Sequence, residues 1–203
     1  MPRTLKHALA SLALALLCFG TAHADTITYT GDTFLRPDGR FNRPQENGTL
    51  SPIGTSVPYS ALQFTVSAGG SYSFLSASTE PVAAFYDPFL VLYSGGFNPT
   101  SPLASFVIAN DDLNGSRVQS GFTTTLGVNT SYFLVTTGSV GAPGVAFFDA
   151  GAFRNTISGP GIITAGPGAD PIPEPTTMLL LGTGLVGVGA VLRKRRRATR
   201  SEE

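Results

Sequence analysis

Histidine and cysteine are nearly missing from this 203-residue chain. Its two histidines, His7 and His23, and its one cysteine, Cys18, all fall within the first 24 residues. Behind that point no Ser-His-Asp or Cys-His nucleophile system can be assembled, nor a zinc site of cysteine and histidine. No disulfide can form there either. Lysine is absent between residues 25 and 172, where five arginines face ten carboxylates, a net charge near −5. That lacks the basic footprint nucleic acid requires. The neutral overall balance hides a segregation: Arg3 and Lys6 lead the chain and six further cations close it.

The first 24 residues read as a secretory signal peptide. Arg3, Lys6 and His7 form a basic start, residues 8–20 an apolar stretch, and Ala22-His23-Ala24 a small-x-small cleavage site. Cleavage after Ala24 would make Asp25 the first mature residue. Leu17 precedes Cys18, where a lipoprotein site wants a small residue, so lipidation is not expected.

The other end is more informative. Pro173-Glu174-Pro175 precedes an uncharged apolar run over residues 176–192, and Arg193-Lys194-Arg195-Arg196-Arg197 follows it. As a helix the 17 residues of the run span roughly 25 Å, at the lower limit for crossing a bilayer core of about 30 Å. Four glycines inside it suit a membrane helix better than a water-exposed one. The basic cluster stays on the cytoplasmic side, so the preceding domain faces outward. The two prolines stop the helix from growing backwards. On physics alone, this is a membrane anchor with a proline-rich stem.

The proline–glutamate–proline tripeptide, the short glycine-containing span and the arginine-rich end, in that order, resemble the PEP-CTERM sorting signal of Gram-negative bacteria. The resemblance implies recognition by an exosortase, a membrane transpeptidase-like enzyme. It would cut near Pro173, Glu174 and Pro175 and remove the anchor.

Between the two ends the chain is rich in Thr, Ser, Gly and Phe, a composition of strands and turns. Residues 26–30 alternate and predict a first strand. Residues 31–58 predict a long loop, with one short strand near Phe34. Residues 61–67 and 71–78 predict two strands joined as a hairpin across Ala68-Gly69-Gly70. Phe89-Leu90-Val91-Leu92-Tyr93 is apolar on both faces and predicts an interior strand. Further strands are expected over 103–109, 121–126, 131–137 and 151–157, with a short one near 145–148. Seven to nine short strands without an amphipathic helix predict an all-β fold, a single antiparallel β-sandwich. The expected organisation is a signal peptide over 1–24, a sandwich over 25–157 and a glycine- and proline-rich spacer over 158–172. A sorting signal over 173–200 completes it, with a transmembrane helix at 176–192.

Candidate chemistry concentrates in Asn110-Asp111-Asp112-Leu113-Asn114-Gly115-Ser116. This loop packs hard oxygen ligands, and Gly115 permits a left-handed turn. Calcium takes six to eight such oxygens, and sheet pairing could bring Asp87 alongside Asp111 and Asp112. The other reading is an acidic surface loop whose Asp side chains bond backbone amides. The loop does not follow the EF-hand pattern. A carboxylate pair for glycoside hydrolysis would have to come from Asp87, Asp111, Asp112 or Asp149. Tyr59, Tyr86 and Phe97 are candidate platforms for sugar rings.

From Asp87-Pro88-Phe89 through Asn110-Asp111-Asp112 to Ser131-Tyr132-Phe133-Leu134, the order of motifs resembles the bacterial pre-peptidase C-terminal domain and CUB-like sandwiches. That resemblance implies a jelly-roll-like accessory module with calcium held by Asp87, Asp111 and Asp112. The sequence shows no peptidase motif, so a role as an enzyme's helper is not expected. The whole predicts a non-enzymatic secreted bacterial surface or matrix protein. Its sandwich would bind or structure exopolysaccharide in a biofilm. Two alternatives stay open: an extracellular polysaccharide hydrolase, and a permanently membrane-anchored binding domain.

Overall fold

The computed structural model describes residues 24–35, 37–80, 86–140 and 150–166. The signal-peptide stretch before Ala24, the strand expected near 145–148, Asp149 and everything from residue 167 on lie outside the described residues. So do Ala22, Pro173, Glu174, Pro175, the 176–192 span and the basic cluster from Arg193 to Arg197. Among the described residues, no helix is long and apolar enough to cross a membrane.

Among the described residues, alternating β-formers produce ten strands, all paired antiparallel. They are β1 (Ala24–Asp32), β2 (Gly39–Phe41), β3 (Val57–Val66), β4 (Gly70–Ser78) and β5 (Pro88–Ser94). They continue as β6 (Phe106–Asn110), β7 (Gln119–Leu126), β8 (Tyr132–Gly138), β9 (Ala152–Pro160) and β10 (Ile163–Ala165). One sheet runs β1-β9-β4-β7; the other runs β10-β3-β8-β5-β6, with β2 also on β3. With β2 and β10 set aside, the eight remaining strands have the order of a jelly roll. The expected all-β sandwich is therefore present.

Three expectations need correction. The strands over 57–66 and 70–78 are not a hairpin. β3 pairs with β8, and β4 with β7 and β9, so the chain changes sheet at residues 67–69. Their apolar faces meet across the sandwich instead, with the Phe64 and Phe74 rings 5.9 Å apart. An alternating pattern shows which face is buried but not which strand lies beside it. The short strand of the long loop is β2, not a segment at Phe34, whose amide is held in a turn by Asp32 Oδ1 at 2.8 Å. Nor does the sandwich stop at Ile157. β9 continues to Pro160, and β10 pairs Ile163 with Val66, within the stretch expected to be spacer. Gly161, at φ +78°, makes the turn between them, and its glycines and prolines had concealed the short strand.

The core between the sheets holds Leu62, Phe64, Tyr72, Phe74, Leu90, Leu92, Leu126, Leu134, Phe153 and Ile157. A second apolar cluster covers the other face of the six-stranded sheet. There Phe89, Val91 and Tyr93 of β5 meet Phe41, Tyr59 and Phe97. This is why β5 is apolar on both faces: it is interior in its sheet and covered on each side. Phe41, Tyr59 and Phe97 contact one another edge to face, with centroids 5.1 to 5.6 Å apart. One buried polar contact ties the sheets together. Asn155 Nδ2 on β9 lies 2.7 Å from both Tyr29 Oη on β1 and Thr136 Oγ1 on β8.

Candidate metal centre and the adjoining pocket

Asp87 immediately precedes β5, and Asp111 and Asp112 immediately follow β6. The two strands are antiparallel with Leu90 opposite Asn110, so the start of one lies beside the end of the other. One ligand oxygen from each of Asp87, Asp111 and Asp112 lies within 4.8 Å of the other two. The structure thus brings together the three residues singled out in the sequence. In each, Oδ1 is shielded from solvent and has no hydrogen-bond partner. Buried carboxylate oxygens without partners are costly, and a bound cation would remove that cost.

The remaining atoms of the cluster are held firmly. Asp87 Oδ2 accepts the Ser139 hydroxyl at 3.0 Å, and the Asp87 carbonyl accepts the Ser139 amide at 3.0 Å. Burial pushes the Asp87 carboxyl up to about 6; Asp111 and Asp112 add to that, while Ser139 and Arg117 oppose it. Asp111 is also raised, chiefly by burial, with Asp112 and Glu46 adding and Arg43 opposing. Asn114 (φ +55°) and Gly115 (φ +77°) turn the loop back, as expected of Gly115, and bridge Leu113 to Ser116. Asn110 has a structural role here. Its Oδ1 accepts the Gly121 amide at 2.9 Å, and its Nδ2 donates to Glu46 Oε1 at 3.0 Å.

Two neighbours of the cluster are not evident in the sequence. Arg43 is 3% exposed. Its Nε donates to the Ser139 carbonyl at 3.0 Å, its Nη2 to the same carbonyl, and its Nη1 to the Pro44 carbonyl at 3.0 Å. The guanidinium lies over the Phe89 ring, 3.7 Å from the centroid. Burial lowers its pKa, and Asp111, Asp87 and Glu46 oppose that shift. Glu46 Oε1 also accepts the Asp111 amide at 2.8 Å. In the sequence, Arg43-Pro44 signalled only a turn, and Glu46 only a polar loop residue. Only their tertiary setting shows what they touch.

Beside the carboxylates is a cavity of about 320 Å³, whose lining includes Arg43, Glu46, Asn47, Ile53 and Asp111. The aromatics expected to meet sugars are elsewhere. Tyr59 and Tyr86 are buried, and Phe97 is packed into the second apolar cluster. Tyr86 Oη donates to the Thr137 carbonyl at 2.9 Å.

A donor set of carboxylate oxygens alone suits a hard cation such as calcium rather than zinc or copper. The residues present fit calcium. Asp87, Asp111 and Asp112 would hold it, and it would neutralise their mutual repulsion.

Residues 171–197 match the PEP-CTERM protein-sorting motif. The chain is accordingly an exported protein with a C-terminal membrane-anchoring sorting signal. The PEP-CTERM match ends short of the sandwich and says nothing about that domain's ligand. No curated protein matches the chain closely.

Among solved structures, the chain is similar to a CBM35 module from Cellvibrio japonicus Abf62. The match has 12% identity and a TM-score of 0.35, covering 71% of this chain and 98% of that one. It is similar to PliG of Aeromonas hydrophila, a periplasmic inhibitor of g-type lysozyme. That match has 11% identity and a TM-score of 0.34, covering 68% of this chain and 87% of that one. It is also similar to Xyl-CBM35 in complex with a glucuronic acid-containing disaccharide. Here identity is 10% and the TM-score 0.35, with 67% and 93% coverage. These likenesses are too remote to carry a ligand over to this chain. They do not bear out the expected pre-peptidase C-terminal or CUB-like resemblance.

Proposed function

We propose that this is a non-enzymatic bacterial surface or extracellular-matrix protein. It is exported behind a cleaved signal peptide and processed at Pro173, Glu174 and Pro175 by an exosortase. Its sandwich binds extracellular polysaccharide. Calcium at Asp87, Asp111 and Asp112 stiffens the pole that does so. The observation carrying the calcium reading is that three carboxylates each bring an oxygen within 4.8 Å of the other two and each keep a buried, partnerless Oδ1. The sorting reading rests on the matched motif. A binding role is supported by a domain without histidine or cysteine and with a pocket of mixed polar and apolar lining beside the carboxylates.

Thermal melting of the purified protein with calcium and with chelator tests the metal. Calcium should raise the melting temperature of the wild type and leave Asp112→Ala unmoved. An equal melting temperature in both conditions would remove calcium from the account. Incubation with polysaccharide tests the non-enzymatic reading: retention supports it, and new reducing ends would make the protein a hydrolase.

A further inference from the structure

The acidic cluster and the cavity beside it are joined by two shared residues. Asp111 contributes to both. Glu46 lines the cavity and accepts, on one oxygen, the Asp111 amide and the Asn110 side-chain amide. The loop over residues 42–56 is in turn stiffened by its own contacts. Asn47 Oδ1 accepts the Thr49 amide at 3.1 Å and the Thr49 hydroxyl at 2.7 Å. Asn47 is also among the residues lining the cavity. Gln45 Nε2 donates to the Leu50 carbonyl at 3.0 Å. Underneath, the buried Arg43 anchors the loop to Ser139. The lining is therefore set before any ligand arrives, which lowers the ordering cost of binding.

We propose that this cavity is the polysaccharide subsite, that it takes a neutral sugar residue, and that calcium in the adjoining cluster sets its affinity. The inference rests on the function proposed above and adds the site, the class of sugar and the coupling. A cavity of about 320 Å³ is at the small end of ligand pockets, which suits one ring of a polymer rather than a long segment. Its chemistry is that of a polyol site. Glu46 and Asp111 offer acceptors to sugar hydroxyls, and Asn47 offers a donor. Ile53, 57% exposed at the rim, offers an apolar surface to the C–H face of a ring.

Charge decides the class of sugar. Without calcium, Glu46 and Asp111 outnumber Arg43 in the lining; with calcium on Asp111, Glu46 and Arg43 balance, and Nε, Nη1 and Nη2 of Arg43 each already donate to a carbonyl. A uronate would meet no net cationic charge to draw it in, and an Arg43 whose three nitrogens are each already engaged with a carbonyl. Calcium acts at one remove. By fixing Asp111 it fixes the amide that Glu46 holds, and with it the wall of the cavity.

The test is calorimetric titration of the full-length protein with a panel of neutral glucan, mannan and galactan oligosaccharides and one oligogalacturonate, with calcium and with chelator. At least one neutral oligosaccharide should bind. Asn47→Ala and Ile53→Ser should each weaken it by about tenfold while keeping the calcium-dependent rise in melting temperature. Chelator, and Asp112→Ala, should weaken wild-type binding by a similar factor. Undiminished binding by Asn47→Ala and Ile53→Ser would overturn the cavity assignment and leave the proposed function standing. Binding indifferent to chelator in a protein that calcium does stabilise would overturn the coupling alone. Preference for the oligogalacturonate would overturn the class. No binding by any oligosaccharide would overturn this inference, while the separate calcium melting result would still decide the metal.

Discussion

Glu46 Oε1 accepts the backbone amide of Asp111 at 2.8 Å, across 65 residues of chain. This contact ties the long loop between β2 and β3 to the loop that supplies two of the three candidate ligands. Glu46→Gln keeps the shape and an acceptor but removes the charge. It should weaken calcium binding by several-fold, on the order of 1 kcal/mol, and Glu46→Ala by more. Competition against a calcium-sensitive dye measures both. Unchanged affinity in Glu46→Ala would mean that the loop is a bystander.

The calcium-free protein should show an inverted acid response. Asp87 sits at about 6 in the fold against an ordinary 3.8. The fold therefore binds that proton more readily than the unfolded chain does. The contribution to stability is complete below about pH 4 and is lost as pH rises through about 6. Asp111 shifts the same way; Arg117 and the Ser139 hydroxyl act against the shift at Asp87, and Asp112 adds to it. Melting with chelator from pH 4 to 7 should show stability falling across that window, and Asp87→Asn should flatten it. Calcium affinity runs the other way, because the ligand must shed its proton, and should fall as pH drops through about 6.

Asn155 is fully buried between the sheets, with Tyr29 and Thr136 both 2.7 Å from its amide nitrogen. Asn155→Ala leaves two buried hydroxyls short of a donor and opens a void. It should cost about 2–4 kcal/mol, read from urea unfolding followed by intrinsic tyrosine fluorescence. Calcium binding should persist in the folded fraction, because the Asn155 side-chain amide bonds Tyr29 and Thr136 and none of the three carboxylates.

Mass spectrometry of the exported form should show a chain beginning at Asp25 and lacking residues 176–203. Ala24 is exposed at the head of β1, and Asp25 Oδ2 accepts the Ile163 amide at 2.8 Å. Asp25→Ala should therefore lower stability slightly without preventing cleavage. A mature protein that keeps its tail would leave it permanently anchored.

The sandwich was legible in the sequence because two-residue alternation marks strands directly, as at Leu62, Phe64 and Val66. The doubly apolar β5 also announced its interior place. The candidate metal site was legible for a related reason: two acidic stretches flank strands that antiparallel pairing would align. Strand neighbours are not legible, because alternation carries no partner, and so the hairpin expected of β3 and β4 does not form. Arg43 and Glu46 were not legible either. Their roles depend on a loop folding back over Phe89 and Asn110, and that contact leaves no local pattern. β10 was hidden because three residues between glycines and prolines are too few to show a period.

Among the described residues the first strand has one sheet neighbour, β9, with Ala24 opposite Pro160. A chain threading outward amino-terminus first thus carries an unmatched edge for nearly its whole passage. Pro173 follows Pro160 by only 13 residues. The edge at β1 is closed only by residues 152–160, so the four-stranded sheet is complete only once nearly the whole domain is available to fold.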